Sequence, residues 1–199
     1  MTGTAVQATF PDPLVVRYDW TVERYHELIR LGILTPDDNL ELLDGQIVKR
    51  MSIGEPHAAT VEGLTEYFYD RFGKQYRYRS ENPITIAPKS EPEPDFVISR
   101  RLEPGQAKTH PVPKEIYLVI EVAQDTVSKD RRVKGPLYAA AGIGEYWIVN
   151  LEERQIEVHL NAGVEQLAKY EQVAYYPAGN TFESPFVGEV EVDDLLPII

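Results

Sequence analysis

Three acidic residues stand where acids are costly. Glu41 lies in the apolar run NLELLDG, Asp95 opens DFVIS behind a Pro/Glu-rich stretch, and Glu121 is embedded in YLVIEVA. A carboxylate buried without a partner loses its hydration, so several that converge point to a cation that compensates them. The chain contains no cysteine. Disulfides, thiolate metal sites and a cysteine nucleophile are therefore excluded, and a metal would rest on carboxylate, carbonyl or imidazole groups. Such hard donors suit magnesium or manganese. A strand that begins with an acid and a neighbour that ends with one bring two carboxylates to adjacent points, where they could hold one ion. The competing reading is structural: Asp95 caps a strand while Glu121 pairs with Lys134 or an arginine, as acids near strand ends often do. The residue types alone leave both readings open.

Positioning these acids falls to a recognisable series of elements. Thr21 can cap a helix over TVERYHELIRLG, with Glu23 in its first turn, Gly32 at its exit, and Val22, Tyr25, Leu28 and Ile29 on one face. In ELLDGQIVKRM an Asp44-Gly45 turn separates two short apolar runs, the signature of a hairpin, and places Glu41 on a strand just ahead of the turn. In HAATVEGLTEYFYDRFG, Val61, Leu64, Phe68 and Phe72 recur at helical spacing. His57 opens that helix, where an imidazole could meet a phosphate, although a histidine at a helix start is more often simply exposed.

Strands are expected at 76–80, 84–86 and 95–98. An exposed loop over 100–114 then leads into YLVIEV, whose uniform apolarity marks a buried central strand. A helix over Asp130 to Ala141 should be kinked, or start late, at Gly135-Pro136, because proline cannot donate to the helical ladder. Tyr138 follows Lys134 by four residues and so shares its face, with core packing as its expected task. EYWIVN is the next strand, and IEVHL, VEQLAKY, QVAYY and VEVDDLL read as antiparallel pieces in the C-terminal third. At 199 residues the chain is expected to form a single domain, with residues 1–13 as a loose tail.

A net charge of -12 argues against a protein that grips nucleic acid with its whole surface. Local basic clusters remain: Lys49 with Arg50, Arg77 with Arg79, Arg100 with Arg101, and Lys129 with Arg131, Arg132 and Lys134. Each could contact phosphate, but a solvated face is the commoner reading of any one. His26, His110 and His159 lack ligand spacing. No stretch approaches the roughly 20 apolar residues of a membrane span, and the N-terminus lacks a signal pattern, so a cytoplasmic protein is expected. A P-loop, a dinucleotide fingerprint, a G-x-S-x-G elbow and an H-E-x-x-H helix are all missing.

The runs ELLDGQIV, EPEPDFVIS, YLVIEVAQDT and DRRVKGPLYAAAGIGEYWIVN, together with His57, follow one another like the signatures of the Uma2 family, over roughly Thr21 to Asn150. The chain thus resembles a branch of the PD-(D/E)xK nuclease-like superfamily. This resemblance implies an α/β fold with a restriction endonuclease-like core, a mixed β-sheet flanked by helices. It also implies an endonuclease dependent on magnesium or manganese. Asp95 matches the aspartate of the PD element and Glu121 the acid of the (D/E)xK element. Both would be metal ligands, with the Val122 carbonyl as a third and Glu41 acting through water. The position two after Glu121 is Ala123 rather than lysine. Uma2 proteins place a lysine on the following helix, which matches Lys134, expected to orient the nucleophile and stabilise developing charge. His57 is a candidate phosphate contact, nucleic acid is the implied partner through the local basic clusters, and a homodimer is expected. Two alternatives stand beside this reading: a non-catalytic interaction module or assembly subunit on the same fold, and a metal-dependent hydrolase of a small phosphate ester.

Overall fold

The computed structural model describes residues 18–51, 54–103, 105–106, 109–163 and 168–197. The tail expected over residues 1–13 lies outside these, as does most of VEQLAKY. Among the described residues no helix is long and apolar enough to cross a membrane.

Thr21 caps α1 (Val22–Arg30) by accepting from the Arg24 N–H at 3.4 Å. Only Tyr25 of its expected apolar face is buried, and Ile29 is exposed. β1 (Leu40–Leu43) and β2 (Gln46–Lys49) form the predicted hairpin. Asp44 and Gly45 both take positive φ, 44° and 77°, as a two-residue turn matched to strand twist requires. A Cβ on Gly45 would also lie 2.7 Å from Cβ of Asp19, so the chain before α1 can approach only a glycine there. α2 (Glu55–Phe72) follows.

The main sheet has six strands in the order β3-β4-β5-β6-β7-β8: Tyr76–Ser80, Phe96–Arg100, Ile116–Ala123, Glu145–Asn150, Gln155–Ala162 and Tyr170–Pro177. Only β5 and β6 pair in parallel. Their connection is helical, as a crossover between parallel strands demands: α3 (Val127–Lys129), a π-turn (Asp130–Lys134) and α4 (Gly135–Ala140). β7 and β8 extend this sheet antiparallel, so the C-terminal strands continue the core rather than forming a layer of their own. β9 (Thr181–Ser184) and β10 (Gly188–Glu191) make a separate hairpin.

Alternation along β5 divides the core. Leu118, Ile120 and Val122 pack with Leu64 and Phe68 of α2 and with Phe182 and Val190 of the last hairpin. Val119 and Ala123 face the other way, against Tyr138 and Ala139 of α4. Glu121 lies between those two in the alternation and therefore on the α4 side. The strand expected at 84–86 does not form. Ile84 is buried, but the segment makes only an isolated bridge, Ile86 to Ser90. Pro83, Pro88 and Pro92 remove donors around it, which limits a ladder.

Candidate functional site

Strand register brings the acids together. Phe96 pairs with Ile120, so Asp95 reaches the level of Glu121 and Val122, and the Val122 N–H donates to Asp95 Oδ2 at 2.7 Å. The hairpin is attached by reciprocal backbone bonds between Leu42 and Glu91, and the Glu93 N–H donates to Glu41 Oε2 at 3.2 Å. Glu41 and Glu121 are each 1% exposed. Lys134 is 6% exposed and donates to both Glu121 oxygens, at 2.8 and 2.9 Å, while lying 3.9 Å from Glu41 Oε2. Glu41, Asp95, Glu121, Val122, Lys134 and His57 all line one cleft of about 330 Å³.

Both readings left open by the sequence meet here, because the acids converge and Glu121 also pairs with Lys134. His57 departs from the commoner expectation. It is buried, with Nε2 3.1 Å from Asp95 Oδ2, because the first turn of α2 points into the cleft. Tyr138 does more than pack: it is fully buried, and its hydroxyl donates to Glu121 Oε1 at 2.6 Å. Lys129, which reads as part of a solvated basic run, donates to Glu41 Oε1 at 2.6 Å. Asp130, Glu93 and Arg50 also line the cleft, and Arg50 pairs with Glu93. The repeat of acids in EPEPD was the one signal for Glu93, and the Lys49-Arg50 pair the one for Arg50; nothing local marks Asp130.

The helical connection aims Lys134 inward. Of the kink or late start expected at Gly135-Pro136, the structure has α4 starting at Gly135 after a π-turn, in which the Gly135 N–H reaches back five residues to the Asp130 carbonyl. Such a π-turn accommodates one extra residue and rotates the helix beyond it. Pro136 then falls in the first turn of α4, where a missing N–H costs nothing. A Cβ on Gly135 would stand 3.1 Å from the Asp130 carbonyl oxygen and 3.4 Å from the Tyr146 ring. Arg131 anchors the turn from its other side through two bonds to the buried Glu157, at 2.6 and 2.9 Å. Lys129, Arg131 and Lys134 thus serve internal acids, and of that basic cluster only Arg132 is exposed without an ion pair among the described residues.

Electrostatics divide the acids. Burial raises the Glu121 carboxyl well above its ordinary range despite Lys134, with Asp95 and Asp130 adding repulsion. Burial likewise pushes Asp130 up to about 6. For Glu41, burial is outweighed by the charges of Lys134 and Lys129, and for Asp95 by the His57 bond, Lys134 and the Val122 N–H, so both lie low. Burial opposes charge on Lys134, yet Glu121, Glu41, Asp95 and Asp130 hold it above the usual ammonium range. His57 is raised by Asp95 against the effect of its burial.

Among the described residues no three His, Asp or Glu side chains stand together as metal ligands do. In the arrangement observed, Glu41, Glu93, Asp95 and Glu121 pair with Lys129, Arg50, His57 and Lys134 respectively. The donor chemistry nevertheless fits a hard divalent ion: six carboxylates line the cleft against three fixed cations, Arg50, Lys129 and Lys134.

The Uma2 family model, described as "Putative restriction endonuclease", matches residues 22–196. No curated protein matches the chain. Among solved structures, a putative nuclease belonging to DUF820 from Anabaena variabilis superposes with a TM-score of 0.63 at 16% identity, covering 83% of this chain and 94% of that one. At that identity the likeness shows a shared fold.

Proposed function

The chain belongs to the Uma2 family, and from that premise we propose that it is a metal-dependent endonuclease that hydrolyses nucleic-acid phosphodiester bonds. One observation carries the reading: Glu41, Asp95 and Glu121 come from three separate strands or strand ends into one cleft, where Glu41 and Glu121 flank a buried ammonium and Asp95 lies within reach of its charge. A purely structural core has no need to gather so many costly charges.

Asp95 and Glu121, with the Val122 carbonyl, would hold magnesium or manganese, and Glu41 would act from one layer out. Such an ion supplies a lowered pKa for a coordinated water and neutralisation of phosphate charge. Lys134 is held so firmly in its charged form that it acts as donor and positive charge, never as base. Its place is beside the attacking water and the scissile phosphate. His57, protonated more readily than a free imidazole, donates to a phosphate oxygen, and the Val122 N–H keeps Asp95 oriented.

The test is incubation of purified protein with single-stranded, double-stranded and structured DNA and RNA in magnesium or manganese. Cleavage should disappear in Asp95→Ala and Glu121→Ala. No cleavage above that of Asp95→Ala would overturn the reading. A second reading, a non-catalytic module, is favoured by the internal partners of Glu41, Asp95 and Glu121, which are Lys129, His57 and Lys134. Calorimetry separates the two: a magnesium or manganese site abolished by Glu121→Ala belongs to the enzyme, and its absence to the module.

A further inference from the structure

One edge of the main sheet carries a charge pattern that the acid cleft does not use. β3 pairs with β4 on one side and with no strand on the other among the described residues. Beside it runs a groove lined by Tyr76, Arg77, Tyr78, Arg79, Asn82 and Arg101, with three guanidiniums and no carboxylate. On a chain of net charge -12 this is a local reversal of sign. Three other arginines are neutralised by carboxylates, Arg50 by Glu93, Arg100 by Glu115 and Arg131 by Glu157.

Those of the groove meet backbone carbonyls instead. Arg77 donates to Thr109 at 3.0 Å, Arg79 to Pro83 at 3.2 Å, and Arg101 to Lys74. None forms an ion pair with a carboxylate among the described residues. Carbonyl contacts fix the direction of a guanidinium and leave its charge available. Arg79 also meets His110 Nδ1 at 3.3 Å, and its buried Nε has no hydrogen-bond partner, so its charge is not offset by an acid.

Register ties the groove to the cleft. Arg77 pairs with Ser99 and Arg79 with Val97. By alternation these arginines share the sheet face of Val97 and Asp95, which is also that of Glu121. Ser80, at the end of β3, pairs with Phe96, the neighbour of Asp95. The basic row therefore starts at Arg79, whose partner Val97 lies two residues from Asp95, and runs away from the acids through Arg77 to Arg101.

Building on the nuclease reading, we propose that this edge groove seats the sugar-phosphate backbone of a single-stranded nucleic acid and leads that strand toward Asp95 and Glu121. One row of cations on a narrow edge follows one backbone. The net charge of -12 on the chain as a whole disfavours the second phosphate row of a duplex.

The experiment is fluorescence anisotropy of labelled oligothymidylate, and of a labelled duplex of equal length, with the full chain in EDTA, where cleavage is silent. The single strand should bind more tightly than the duplex. The slope of log K against log salt should shrink by about 0.7 for each of Arg77→Gln and Arg101→Gln. Thermal melts check that both variants fold. Photocrosslinking of the parent protein to a bromodeoxyuridine oligonucleotide, with peptide mapping, should label the peptide carrying Tyr76 to Arg79. No binding, parental slopes in folded variants, equal affinity for the duplex, or crosslinks confined to other peptides would each overturn the groove. Binding in EDTA without cleavage in magnesium refutes the nuclease reading and leaves the groove standing. Cleavage with KM unchanged in the two variants does the reverse.

Discussion

Lys134 decides the state of the acids around it. Replacing one partner of a buried ion pair strands the other charge, which typically costs about 3–5 kcal/mol. Lys134→Met should therefore lower stability by an amount of that order in chelator, because Glu121 would keep only the Tyr138 hydroxyl among its present donors. Magnesium should restore part of the loss, since a second cation can take the vacated role. Urea denaturation with EDTA and with magnesium reads both effects, and an unchanged midpoint in EDTA would contradict the account. Asp130 gives a pH signature. Its folded pKa lies near 6, above the ordinary 3.8, with burial the main cause and Lys134 opposing it. Between those values the folded state holds a proton that the unfolded state has released, so this group makes stability fall as pH rises from about 4 to about 6. Asp130→Asn removes that trend. The variant should gain on the parent through this window and stay ahead at pH 7, by on the order of 2–3 kcal/mol. Denaturation at a series of pH values tests it, and a difference independent of pH would refute it.

Elements matter here through their phase. An uninterrupted α-helix after β5 would present Lys134 about 100° away from its observed direction, because one residue is one step of a 3.6-residue turn. The π-turn supplies that step, and Gly135 permits it by leaving room for the Asp130 carbonyl and the Tyr146 ring. Gly135→Ala gains about 1 kcal/mol of helix propensity and meets a backbone oxygen at 3.1 Å. The two effects oppose each other in stability and do not cancel in geometry. The melting temperature should move little while cleavage falls by about tenfold or more, as expected when a reacting group shifts by an ångström. A variant with parental activity would show that the close approach at Gly135 is not what aims Lys134. The hairpin plays the same positioning role for Glu41. Its two-residue turn sets the register that leaves Glu41 facing the cleft, and a slip of one residue would turn it away.

Across the whole molecule, one face of the sheet is covered by α2 and the β9–β10 hairpin; Arg71 of α2 holds the hairpin through the Val187 and Glu189 carbonyls, at 3.1 and 2.8 Å, and a buried carboxylate holds it from the sheet. Glu145 accepts from Trp147 Nε1 at 2.8 Å, Ser184 Oγ at 2.7 Å and the Phe186 N–H at 3.3 Å. Burial raises its pKa, with those donors opposing, and no cation stands among the causes. Glu145→Ala would leave buried donors unsatisfied, at about 1–3 kcal/mol for each that finds no water. Hydrogen exchange should then quicken in β9 and β10 before it does in β5. Uniform acceleration, or none, would argue against a local fastening. The net charge acts at this scale too: with phosphate contacts limited to a few cations, any nucleic-acid binding should weaken steeply with salt.

Much of this was legible in the chain, because it is written in local periodicity. Uniform apolarity marked β5, the Asp-Gly turn marked the hairpin, and helical spacing marked α2. Acids set inside apolar runs marked Glu41 and Glu121 as residues that need a partner. Tertiary structure alone decided which partner each would have. His57 and Asp95, or Lys129 and Glu41, are joined by strand register and by the phase of a helix, and neither is a property of neighbouring residues. A π-turn changes no hydrophobic pattern, yet it sets the direction in which a lysine points. The missing strand at 84–86 has the same origin, since a run that is apolar enough to pair still needs free N–H groups and a neighbour to receive them.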